Sequence, residues 1–154
     1  MGVDAERSAE TRRAGQPRHR GREAAIQMLY QWEVGRIPIA EVCERFWVEA
    51  PLDEPAEEEV RAFATSLAGG VVAHVSEVDP LITEAADHWR IERMHVMDRL
   101  ILRLAVYEFL FEMETPGKVI INEALELART FSADDSIRFI NGILDAIRRT
   151  RARE

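Results

Sequence analysis

From Lys118 to Arg149 apolar positions recur with a helical period in two successive runs. Ile120, Ala124, Leu127 and Phe131 fall at i, i+4, i+7 and i+11, with Ile121, Leu125 and Ala128 beside them. One face of a helix is therefore apolar, while Asn122, Glu123, Glu126 and Arg129 take the other. Ser132-Ala133-Asp134-Asp135 breaks the run and reads as an N-cap, its carboxylates suited to the unpaired N–H groups of a new helix. In that second helix Ile137, Ile140, Leu144 and Ile147 form a narrow stripe. Phe139 lies roughly 100° from the stripe's centre, beside Asp135, Arg138 and Gly142.

The same period organises the chain upstream. A helix over residues 18–33 buries Ala25, Ile26, Leu29 and Trp32, leaving Tyr30 on the side of Glu23 and Gln27. Gly35 and Pro38 end it, Ile39 to Trp47 forms a shorter helix, and Pro51 to Pro55 a loop. From about Ala56 a long helix carries Val60, Phe63, Ala64, Leu67, Val71 and Val75. Gly69-Gly70 within it reads as a close helix approach, because a phosphate loop needs a preceding strand and more glycines. Asp79-Pro80 reads as an N-cap and first helical residue, opening a helix to about Trp89. Residues 94–113 are apolar nearly all round, which predicts a central post with Asp98, Arg99 and Arg103 as its main polar exceptions. Glu108 projects within the apolar stripe and calls for a nearby arginine. Pro116-Gly117 turns the chain into the closing helix pair. The fold class is all-α.

Composition narrows this picture. A chain of 154 residues with 47% apolar residues supports one domain, or two small helical subdomains sharing a core. Residues 1–17 lack periodicity and read as a disordered arm, 18–149 as the helical domain, and 150–154 as a basic tail. A single cysteine, Cys43, excludes an intramolecular disulfide framework and favours a cytoplasmic protein. No apolar run approaches the roughly 20 residues needed to span a bilayer, so no membrane partner is expected. A net charge of −8 argues against a generally basic nucleic-acid-coating protein. The charge is unevenly spread, however: Arg12, Arg13, Arg18, Arg20 and Arg22 stand with His19 in a stretch free of acids. An acidic protein can hold a local anion-binding patch.

Catalytic chemistry finds no footing. Glu92-x-x-His95 has the spacing of one di-iron ligand pair, but such a site needs a second copy with two further glutamates on facing helices, and only one copy exists. Cys43 has acids rather than a histidine nearby, and no serine sits in a Gly-x-Ser-x-Gly setting. No catalytic residue, metal or cofactor is assigned, and a binding role is expected. Two places support it. Arg18, Arg20 and Arg22 at a helix start oppose the macrodipole, and an external anion explains them better. With Gln27 and Tyr30 alongside, the pattern suits single-stranded RNA, with a solvated arm as the alternative. The other place is Arg138-Phe139 behind the acidic cap, where core packing is the alternative for Phe139.

These residues also carry a family resemblance. Arg-x-Arg-x-Arg-Glu-x-x-x-Gln-x-Leu-Tyr-x-Trp at 18–32 and Leu-Arg-Leu-Ala-x-Tyr-Glu at 102–108 stand in order with two further segments. These are Val-x-x-Asn-Glu-Ala-x-Glu-Leu-Ala-x-x-Phe at 119–131 and Asp-Asp-Ser-x-x-Phe-x-Asn-Gly-x-Leu-Asp at 134–145. Together they resemble the NusB family of transcription antitermination factors over about residues 18–148. The resemblance implies about seven helices in two packed small bundles. It implies a non-enzymatic factor that pairs with NusE, a small-subunit ribosomal protein. The pair would bind boxA in nascent ribosomal RNA within the RNA polymerase antitermination complex. Position by position it places Arg18, Arg20, Arg22, Gln27, Tyr30, Arg138 and Phe139 at or near the RNA surface. Asp98 falls in the NusE-facing helix and Asp135 in the acidic turn. The departures are His19 within the arginine run, an aspartate where a glutamate is expected at Asp98, and a longer N-terminal arm. The rival readings are a helical protein-binding adaptor and an accessory subunit of an RNA-modifying enzyme.

Overall fold

A computed structural model describes residues 2–49, 57–87 and 89–150, with side chains from Pro17 onward except that of Glu49. Seven α-helices follow in order: α1 (Gly2–Glu33), α2 (Ile39–Glu49), α3 (Glu58–Ala73), α4 (Val75–Ala85), α5 (Val96–Phe111), α6 (Gly117–Phe131) and α7 (Asp134–Thr150). A 3-10 turn, Ile91–Arg93, leads into α5. The backbone is already helical from Gly2, where composition reads as an irregular arm, and Pro17 lies inside α1. Side chains before Pro17, the loop expected at 51–55 and the basic tail after Thr150 lie outside the described residues.

α5 is the post that its sequence predicts. Every residue from Leu100 to Phe109 is buried, because α5 is packed by α1 and α3 on one side and by α4, α6 and α7 on others. The N-terminal group α1–α3 and the C-terminal group α4–α7 thus share one core through it. α6 buries Ile120, Ile121, Ala124, Leu127 and Ala128 as its period requires. α7 is turned slightly from the expected stripe: Ser136, Ile140, Ile143, Leu144 and Ile147 are buried, while Ile137 is only half-buried.

Two boundaries differ from the sequence reading. The long helix from residue 58 breaks at His74, which ends α3 and begins α4. Asp79-Pro80 therefore lies inside α4 rather than at its start. Asp79 is drawn off as an acceptor for another helix: its two oxygens accept from Nε and Nη2 of Arg103, both at 2.9 Å. Ser132 likewise closes α6 instead of capping α7, and its buried hydroxyl has no hydrogen-bond partner.

The polar exceptions of α5 are paired across helices. Arg103 also reaches Glu33 at 3.2 Å, and Arg99 reaches the other oxygen of Glu33 at 3.0 Å, so α1, α4 and α5 are tied at one end. Burial works against the Arg103 charge, but hydrogen bonds and charge from Asp79, with Glu33 behind, hold the guanidinium above its ordinary value.

Gly69 and Gly70 divide the role that the sequence gives them jointly. A Cβ on Gly70 would stand 2.2 Å from the Tyr107 hydroxyl and 2.3 Å from its ring carbon Cζ, whereas one on Gly69 meets nothing within 4 Å. Tyr107 cannot swing away cheaply, since it is buried and stacked against Phe111 at 5.0 Å. Gly70→Ala should therefore destabilise the fold by about 1–3 kcal/mol through overpacking. Gly69→Ala should stabilise it by up to about 1 kcal/mol through helix propensity. Parallel urea titrations check both, and equal effects at the two positions would refute the close-approach assignment.

Candidate nucleic-acid and partner interface

The arginine run splits by helical position. Arg18 and Arg22 are one turn apart on the face of α1 that meets α3, with Gly21 between them. Their guanidinium carbons stand 4.6 Å and 5.4 Å from the centre of the Phe63 ring. Arg18 is exposed and Arg22 is buried.

Arg22 corrects the expectation placed on it. Its Nε and Nη2 donate to the Glu108 carboxylate at 3.0 Å and 2.8 Å, a forked pair inside the fold. This supplies the arginine that Glu108 calls for and removes Arg22 from the surface. A guanidinium that is 2% exposed and already doubly bonded to a carboxylate cannot also meet a phosphate here. Burial disfavours the Arg22 charge, but Glu108, with Glu123 and Glu112 behind it, still raises its pKa. For Glu108 burial outweighs the pull of Arg22 and pushes the carboxyl above its usual range.

His19 also has an internal duty. Its Nδ1 lies 2.7 Å from Glu123 of α6 and its Nε2 3.3 Å from Glu23, so it pins the middle of α1 to α6. Arg20, Gln27 and Tyr30 are left along the solvent side of α1 at roughly helical spacing, with Gln27 exposed and Tyr30 at 42% exposure. No carboxylate of the described residues forms an ion pair with Arg18 or Arg20.

A second group gathers at the other end of α5. Asp98, Asp135 and Phe139 line one cavity of about 330 Å³ together with Trp89, His95 and Ser136. Phe139 is 37% exposed and Arg138 is exposed, so the ring is not a core residue. Asp135 is exposed in the first turn of α7. Asp98, a polar exception on the central post, is buried, and its Oδ2 accepts from the Ser136 hydroxyl at 2.8 Å. Its other oxygen has no hydrogen-bond partner, and neither has the Ser132 hydroxyl on an adjoining cavity that Asp98 also lines. Charge reversal at Asp98 would thus disturb the fold as well as any partner.

The two groups are not one patch. Arg22 meets Glu108 ten residues after Asp98 on α5, about 15 Å along a helix axis. The exposed stripe of α1 runs between these ends. Sequence reading missed Phe63, which looks like one more core position, as well as Trp89, His95 and Ser136, whose period assigns them no special face. The Cys43 thiol is half-buried and burial pushes its pKa up. Among the described residues no group of three His, Cys, Asp or Glu stands close enough to hold a metal ion, and no helix is long and apolar enough to cross a membrane.

Among the described residues the chain is a helical module without strands, with exposed polar and aromatic positions along α1 and a cavity lined by Asp98 and Asp135 at the far end of its central post. The family model described as the NusB family matches residues 19–149, and the chain belongs to that family. The transcription antitermination protein NusB of Solibacter usitatus is 46% identical over 132 residues, covering 86% of this chain and 88% of the relative. That of Geobacter sulfurreducens is 44% identical over 133 residues, covering 86% and 94%. The solved structure of T. maritima NusB superposes with a TM-score of 0.77 at 35% identity, covering 86% and 90%. A chain from a crystal structure of antitermination factors NusB and NusE in complex with dsRNA has the same fold. Its TM-score is 0.77 at 23% identity, covering 88% and 98%.

Proposed function

We propose that this protein is a transcription antitermination factor that pairs with NusE and binds boxA-type single-stranded RNA, working in the cytoplasm without catalysing a reaction. The observation that carries the RNA reading is the solvent side of α1. Among the described residues neither Arg20 there nor Arg18, exposed on the α3-facing side, is paired with an acid, and Gln27 and Tyr30 follow Arg20 on exposed positions. Cations meet phosphates, and an exposed ring and amide meet splayed bases. Arg138 and Phe139 extend the RNA surface at the far end. Asp98 and Asp135 belong to the partner side, where the unsatisfied Asp98 oxygen would gain from a donor brought by NusE.

RNA titrations with and without NusE, over a salt series, test this. Replacing Arg18 or Arg20 by alanine should weaken binding to all sequences alike and lower the slope of log K on log salt by about 0.7 for each lost contact on single-stranded RNA. The parent failing to bind RNA in either state would leave a protein-binding adaptor. An unchanged slope in both variants would take the phosphate role from α1.

A further inference from the structure

We propose that Phe63 of α3 is a positioning residue for RNA binding, the platform that holds the Arg18 guanidinium in place at the surface for an incoming nucleotide. This rests on the RNA reading above and adds a residue from a different helix.

Three observations converge on the ring. Phe63 is half-buried while its helical neighbours Val60, Ala64 and Leu67 are fully in the core, so it sits where the core opens to solvent. It reaches α1 at Gly21, where an added Cβ would stand only 2.7 Å from its Cδ2. Gly21 is thus the gap that lets the ring lie between Arg18 and Arg22. Both guanidinium carbons are then within the roughly 6 Å over which a cation is attracted to an aromatic face. The two arginines differ in what else holds them. Arg22 is buried and forked onto Glu108, whereas Arg18 is exposed and forms no ion pair. The ring is therefore the one described side chain that restrains the Arg18 head group. A long side chain fixed before binding loses less conformational freedom on meeting a ligand, and a guanidinium stacked on a ring keeps its N–H edge available for phosphate.

The test is a double-mutant cycle on the full chain, read by anisotropy of a short fluorescein-labelled single-stranded RNA. Phe63→Leu keeps an apolar side chain but removes the aromatic face, and should weaken binding about two- to fivefold. Phe63→Tyr should restore it. In the Arg18→Ala background Phe63→Leu should have no further effect, because the group it positions is gone. In the parent, Arg18 side-chain protons should show a ring-current shift by NMR that Phe63→Leu abolishes without RNA present. Should Phe63→Leu not unfold cooperatively, Phe63→Met takes its place in the cycle. Unchanged binding in Phe63→Leu, or an equal loss with and without Arg18, overturns the positioning role while leaving the RNA reading intact. A parent that binds no RNA overturns both, and the ring-current shift then reports only a structural contact.

Discussion

Truncating Glu108 to alanine is expected to lower the free energy of unfolding by about 3–5 kcal/mol, the cost of leaving a buried charge without its partner. The reason lies in the Arg22–Glu108 fork, whose two side chains are each about 2% exposed. Removing the carboxylate strands a buried guanidinium whose next ion-pair partner, Glu123, is 3.8 Å away and a quarter exposed. Glu108→Gln should cost much less, since an amide oxygen still accepts from Arg22. Joint replacement, Arg22→Met with Glu108→Leu, should recover most of the loss, because two apolar groups need no compensation. Urea unfolding of the four proteins measures this directly, and a double variant that loses as much as Glu108→Ala or more would refute the recovery.

The same pair has a pH signature. Burial raises the Glu108 carboxyl in the folded chain despite Arg22, so the folded state takes its proton at a higher pH than the unfolded one does. Relative to Glu108→Gln, the parent's stability should be fullest below the ordinary glutamate range and should decline as pH rises through the raised folded value. A difference that grows with pH would contradict the direction of the shift.

Phe139→Ala is expected to cost about 1–3 kcal/mol of RNA binding, the range for a stacked base, while moving stability far less than the 3–5 kcal/mol of a core phenylalanine. At 37% exposure on the rim of the Asp98 cavity, the ring has surface to offer a ligand and only part of it in the fold. Its neighbour Arg138 is exposed and can add a phosphate contact, although adjacent residues need not act additively. Thermal unfolding and RNA titration on one preparation decide it. Normal RNA binding with weakened NusE binding would instead move Phe139 to the partner side with Asp98 and Asp135. A large drop in Tm would return it to the core.

Helical period is a local property, and it made most of the fold legible. The faces of α1, α5 and α6 could be read because a residue's neighbours three and four positions away share its side of the helix. The exposure of Tyr30 and Gln27 follows from the same rule, whereas period left Phe139 at the edge of the stripe and packing decided its 37% exposure. The need of Glu108 for an arginine also follows from period, since an acid within an apolar stripe requires a partner. Period did not name that partner. Arg22 is 86 residues away in sequence, and only the packing of α1 against α5 turns it from a surface cation into half of a buried pair.

The departures share that cause. Asp79 has the form of a cap but serves Arg103 from across the bundle, and Ser136, next to exposed Asp134 and Asp135 in the first turn of α7, holds the Asp98 carboxylate inside. Phe63 has the spacing of a core residue, and only Gly21 on another helix shows why its ring stands beneath an exposed arginine. The sequence by itself determined an all-α chain, its central post, its apolar faces and its family. The tertiary structure decided which charged groups remain available to a ligand, because a cation is available only when no carboxylate from a distant helix reaches it first.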